Sequence, residues 1–233
     1  MKRLQDREIL NSGEDKHSEM KIAPRQRRAR VTIEAILDAT SELLVQYGVE
    51  NLSTNMICEK AGLTPPALYR YFPNKYAVLK ELAVRLKNLQ INLFHEWLER
   101  DGALLVKEGG HTDPAPIVEA IYRLEMSIYS AMKAQPANIW VARIIRTQPA
   151  MAELRVEWRQ RSLVQLSSYL GLHTFYASPQ EVAICATIVI EFIHSTIEMV
   201  AENDGLNPEL TFTSVANMVA SEFVRLGRPT FPS

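Results

Sequence analysis

Prolines and glycines divide this sequence into blocks of helical period, and that punctuation constrains its fold more than any other feature. Within the blocks apolar residues recur at steps of three and four, and no run alternates with period two for long enough to make a strand. The first block, 31–47, places Ile36, Ala39, Leu43 and Tyr47 on one stripe and Glu34, Asp38 and Glu42 on another side, with Gly48 as its stop. Ser53 or Thr54 caps a brief helix that ends at Ala61 and turns at Gly62. Thr64 and Pro65 open another, which Pro73 prevents from continuing beyond Phe72. Asn74 caps a long helix from 75 to about 100. Gly102, Gly109, Gly110, Pro114 and Pro116 then mark a loop. Five further blocks follow at 117–133, 136–147, 149–170, 179–203 and 208–226. The expectation is an all-α chain of about nine helices, with three short N-terminal helices and a larger C-terminal bundle. It divides into a mobile tail (1–24), a helix-turn-helix unit (25–74) and a bundle domain (75–233).

A chain of 233 residues that is 47% hydrophobic can bury a core without disulfide staples. Its two cysteines, Cys58 and Cys185, form no CxxC pair, which reads as a reducing, cytoplasmic compartment. The first twenty residues alternate charges and lack an apolar core, so no signal peptide is expected there. The stretch 182–200 is long enough to span a bilayer. Glu191, His194 and Glu198 interrupt it, so a buried helix of a soluble protein is expected and no membrane partner. The net charge of −1 conceals an asymmetry: residues 1–90 carry 15 Lys and Arg against 11 Asp and Glu, whereas the remainder carries 11 against 16. Only the front of the molecule suits a polyanion.

The stretch 54–79, TNMICEKAGLTPPALYRYFPNKYAVL, joins two short helices through a glycine turn. That is a helix-turn-helix: Ile57 and Ala61 pack on Leu68 to hold the second helix across the first, and the second helix can then enter a major groove. Three groups of residues in it, Ile57-Cys58-Glu59-Lys60-Ala61-Gly62-Leu63-Thr64, Leu68-Tyr69-Arg70-Tyr71-Phe72, and Asn74-Lys75 with Leu79, resemble the signature of the tetracycline-repressor (TetR) family. The resemblance covers roughly residues 30–85. It implies a homodimeric transcriptional regulator, most often a repressor, with a ligand-responsive C-terminal domain that forms the dimer. Carried over by position, it implies that Thr54 and Asn55 lie near the DNA backbone. Thr64, Pro65, Ala67, Tyr69, Arg70 and Tyr71 then belong to the recognition helix, and Lys75 contacts phosphate. Arg25, Arg28 and Arg30 precede the first helix and reach phosphates or the minor groove. Pro66 departs from the family's usual small residue. Base reading is therefore expected from Thr64, Tyr69 and Arg70, with apolar contacts from Pro66 or Ala67.

In the larger domain, Ile184, Ile188 and Phe192 make one apolar stripe and Phe212, Ala216, Val219 and Phe223 another. The resemblance, rather than the periodicity, points to these as a four-helix dimer seam. Phe94, Trp97, Tyr122, Met126, Tyr129, Trp140, Arg143, Trp158 and His194 supply the aromatic and polar mixture of an enclosed small-molecule site. Glu191 and His194 give one Glu-x-x-His spacing, but His95 and His173 have no Glu three residues before them, so neither metal nor cofactor is expected. No nucleophile elbow or phosphate-binding glycine loop occurs, and the chain is not expected to be an enzyme. Partners are then operator DNA, a small-molecule effector and a second copy of the chain. The alternatives are a regulator without an effector, or a helical enzyme or carrier.

Overall fold

The computed structural model describes residues 24–105, 113–173 and 177–227. The tail expected at 1–24 lies, but for Pro24, outside the described residues. The regular elements are helical throughout: α1 (Pro24–Asn51), α2 (Thr54–Ala61), α3 (Pro65–Tyr69), α4 (Lys75–Asp101), α5 (Ala115–Lys133), α6 (Ala137–Thr147), α7 (Ala152–His173), α8 (Pro179–Glu202) and α9 (Pro208–Leu226). Short side chains set four of the starts. Ser53 Oγ accepts the Met56 N–H at 3.3 Å, Asn74 Oδ1 that of Ala77 at 3.0 Å, and Asn207 Oδ1 that of Leu210 at 2.9 Å. Ser178 and Glu181 close a reciprocal capping box on α8.

Three boundaries differ from the sequence reading. α1 begins at Pro24, so the basic cluster rides on its first turns and does not precede it. Nothing between Arg25 and Val31 breaks a helix, and arginine is a good helix former. Gly48 does not end α1 but kinks it, at φ 71° and ψ 172°. Gly171 likewise lies within α7, which runs on to His173.

One face of α4 ties the fold together. Val78 and Leu79 pack with Ile36, Leu44, Ile57, Leu68 and Phe72 in the N-terminal head. Ala83 and Leu86 then lead to Phe94 and Trp97 in the C-terminal body, where the Trp97 N–H reaches the Ala120 carbonyl at 2.8 Å. In the body α5 lies against α8 and α9, and α8 is flanked by α7 and α9. By length and composition α8 would cross a membrane, but in the fold it is a bundle helix with one buried face.

The two expected seam stripes separate here. Phe212, Ala216, Val219 and Phe223 are buried inside the chain, with the Tyr129 ring edge-on to Phe212 at 5.5 Å. They are core, and the α9 expectation is corrected. An apolar stripe specifies burial but not the identity of its neighbour, and α5 and α8 already cover this one. Ile184, Ile188 and Phe192 remain 40–48% exposed on α8.

Glu125 on α5 is fully buried, and neither carboxylate oxygen has a partner among the described residues. Burial pushes its carboxyl up from the ordinary 4.5 to about 8. The folded chain therefore holds this proton more tightly than the unfolded chain. The associated stability is complete below about pH 4.5 and is lost as pH rises through about 8. Glu125→Gln removes this term. In urea denaturation the stability of the parent relative to this variant should fall between pH 5 and 8, by on the order of 4 kcal/mol at most. Parallel curves for the two proteins would show that the buried carboxyl titrates normally.

Candidate nucleic-acid interface and body cavities

The α2–α3 unit presents a mixed polar surface on an apolar base. Ile57 and Leu68 are fully buried between the two helices. Gly62, at φ 65° and ψ 34°, makes the left-handed turn between them, and the Leu63 N–H returns to the Cys58 carbonyl at 2.9 Å. Above this base the Tyr69 hydroxyl lies 3.1 Å from Thr54 Oγ1, so one contact joins the start of α2 to the end of α3. The side chain of Thr64 makes no capping bond and is exposed, as are Asn55, Pro65 and Arg70. Ala67 is half-buried.

Tyr71 lies just past α3, packed against the core, with the Arg70 guanidinium carbon 5.9 Å from its ring centroid. Arg28 and Arg30 are exposed on the first turns of α1; the side chain of Arg25 lies outside the described residues.

Lys75 departs from the expected phosphate contact. Its ammonium donates to the carbonyls of Val49 at 3.2 Å and Leu52 at 2.9 Å. Val49 lies in the last turn of α1 and Leu52 just past it, where carbonyls lack helical partners, and a cation there satisfies both hydrogen bonding and the helix dipole. Lys75 thus fastens the start of α4 to the end of α1.

The residues expected around one ligand do not converge. Phe94 and Trp97 are buried core, with ring centroids 5.6 Å apart. Tyr122, Met126 and Tyr129 are partly buried against that core. Trp140 sits at the joint between head and body. Its ring would be 3.4 Å from a Cβ added to Gly48, and the Arg143 guanidinium lies 5.0 Å over it. Of the expected set, Trp158 and His194 line a cavity together, one of about 160 Å³, where they meet edge to face with centroids 3.8 Å apart.

Lys87 of α4 lines the same cavity, its ammonium 4.0 Å from the centroid of the Trp158 ring. It went unread in the sequence, although a signal was present: Lys87 and Gln90 interrupt the inward stripe of Ala83, Leu86, Phe94 and Trp97. Glu191, three residues before His194, is held by Arg159 at 2.5 Å. Among the described residues no three metal-ligand side chains come together. A second cleft of about 450 Å³ lies between α1, α4 and α6, with Glu34, Asp38, Arg85 and Asn138 in its wall. An open groove of about 900 Å³ runs beside Ile91, Val156 and Val164.

Residues 36–82 match the family described as bacterial regulatory proteins, tetR family. Over 58 residues the chain is 40% identical to the class D tetracycline repressor protein of Escherichia coli, a match covering 25% of this chain and 27% of that protein. The chain therefore spans about a quarter of the length of the curated relatives it matches. The whole fold is similar to a solved TetR-family regulator from Syntrophomonas wolfei, with a TM-score of 0.62 and 14% identity over 84% of this chain and 96% of that one. It is also similar to SmeT in complex with triclosan, with a TM-score of 0.59 and 16% identity over 87% and 98% of the two chains.

The geometry at Lys75 has a measurable consequence. Lys75→Met should lower stability in thermal or urea denaturation by ~1.5–3 kcal/mol, the range for hydrogen bonds to a charged group. An unchanged midpoint would return this lysine to solvent.

Proposed function

The chain belongs to the TetR family through its helix-turn-helix segment, and from that premise we propose a homodimeric, cytoplasmic repressor released from its DNA operator by a small molecule bound in the C-terminal body. The observation that carries the reading is the α2–α3 surface, where Thr64, Tyr69 and Arg70 stand exposed, with Thr54 half-buried beside them, on a buried Ile57–Leu68 base. A short helix supported in this way can enter a major groove with its polar side chains at base edges. Exposed Arg28 and Arg30 on α1 supply further charge for phosphates.

The second copy would dock on α8. Ile184, Ile188, Phe192 and Met199 form an exposed apolar stripe there, and Leu210 and Met218 are exposed on the adjoining α9. Two such helices from each chain make a four-helix seam, which would need ~800 Å² from each partner. A twofold dimer then sets two recognition helices about 34–36 Å apart, one turn of the duplex.

Coupling would run through the joint between head and body. Arg85 of α4 grips Glu34 of α1 with two bonds, at 2.6 and 2.9 Å, and Trp140 of α6 abuts Gly48 of α1. An effector that favours wrongly spaced heads must lose affinity when operator binds, typically by ~1–3 kcal/mol.

Duplex selected from a random pool provides the operator for a titration across salt concentrations. Affinity should fall steeply with salt, and Arg70→Ala should weaken binding by ~1–3 kcal/mol. Binding that ignores salt would remove the DNA-binding reading. Phe192→Glu should shift the protein from dimer to monomer in sedimentation equilibrium, because it buries a charge at the proposed seam. A dimer that survives this change would place the seam elsewhere.

A further inference from the structure

We propose that the cavity bounded by Lys87, Trp158 and His194 binds a small organic anion, a monocarboxylate of about the bulk of benzoate, and that this anion is the effector. The second half of that statement rests on the repressor reading above; the first does not.

The argument begins with unmatched charge. Lys87 is 4% exposed, and a buried ammonium costs several kcal/mol unless it is paired. No carboxylate lies within ion-pair distance of it among the described residues. Its contacts are the Gln90 side-chain oxygen at 3.0 Å and the face of Trp158. The carboxylates in the cavity wall are already taken: Arg146 holds Glu198 at 3.3 Å, and Arg159 holds Glu191. Arg155, the remaining guanidinium of the wall, is spent on the carbonyls of Ile145 and Arg146.

A second, independent observation agrees. Trp158 is 6% exposed, and its indole N–H is buried with no acceptor among the described residues. A buried donor without a partner costs about 1–3 kcal/mol. The wall therefore presents two under-satisfied donors, one of them cationic, and no unpaired carboxylate. Its chemical complement is an acceptor that carries negative charge, and a carboxylate offers one oxygen to each donor.

His194 does not oppose this. Burial, with Lys87 and Arg159 nearby, holds its imidazole well below the ordinary histidine range, so it is neutral at pH 7. Burial, partly countered by Glu198, lowers the Lys87 ammonium only to about 8, and it keeps its charge at the same pH. Size narrows the class further. About 160 Å³ is close to the roughly 150 Å³ that accommodates benzene in an apolar protein cavity. Ile145 and the indole of Trp158 supply apolar wall for a ring. Lys87 also lies on α4, which carries Lys75 at its start and Arg85 at the joint with the head, so an anion there acts on the element shared by both parts.

Calorimetric titration of the full chain at pH 7 tests the site, with sodium benzoate and acetate as probes and with benzyl alcohol, benzylamine and inorganic phosphate as comparisons. Benzoate should bind one per chain, at least tenfold more tightly than benzyl alcohol, with no binding of benzylamine. Lys87→Gln and Trp158→Phe should each weaken benzoate by tenfold or more, with a thermal melt showing that each variant is folded. Equal binding of benzoate and benzyl alcohol, absence of binding by both carboxylates, or benzoate affinity unchanged in both folded variants would overturn the site. Phosphate binding in preference to either carboxylate would overturn the assigned class. A separate operator titration addresses the effector role. Release by benzoate supports it, whereas benzoate binding without release removes the role and leaves the anion site in place.

Discussion

The inward face of α4 is the constraint on which the other parts depend. Val78 and Leu79 close the head, Leu86 carries the packing across the joint, and Phe94 and Trp97 enter the body core. A straight helix cannot satisfy two cores unless both meet its one face, so the position of the head relative to the body is set by packing along a single axis. The polar contacts at the joint refine this arrangement. Lys75 fastens α4 to the carbonyls at the end of α1, and Arg85 grips Glu34. The exposed Arg85–Glu34 pair alone would contribute little in water, but next to a buried seam it fixes register.

The buried polar groups have different physical meanings. Glu125 lies among apolar residues without a partner, and its protonation relieves the charge. Lys87 sits beside an aromatic face and an opening, where a ligand can relieve it. Asp101 is buried but fully engaged, by Arg100 at 2.8 Å and Arg123 at 3.0 Å. A buried charge points to a binding site only when the surrounding side chains leave it unmatched and space lies next to it. Of these three, Lys87 meets both conditions.

The elements were legible because their signals are local. Ser53, Asn74, Ser178 and Asn207 sit where caps must sit, and Gly62 sits where the chain must turn left-handed. The α2–α3 surface was legible for the same reason, since a helix-turn-helix is a short-range pattern. The ligand residues were not. Trp97 and Tyr129 have the composition of a pocket wall, yet their rings meet neighbours more than twenty residues away in sequence. Lys75 was read as a DNA contact from position alone, and its partners, the carbonyls at the end of α1, lie on another segment.

The sequence by itself determined an all-helical chain, the places where its helices start and stop, and a helix-turn-helix near the front, because caps, prolines, glycines and the 3.6-residue period act within a few residues. Only the tertiary structure decided which apolar stripe meets which partner: the stripe of α9 is covered by α5 and α8, while that of α8 keeps one face open. It also decided that Lys87, Trp158 and His194, from three helices far apart in the chain, share one cavity. Periodicity states that a side chain is buried. The crossing of helices, which depends on the whole set of packed faces, states against what.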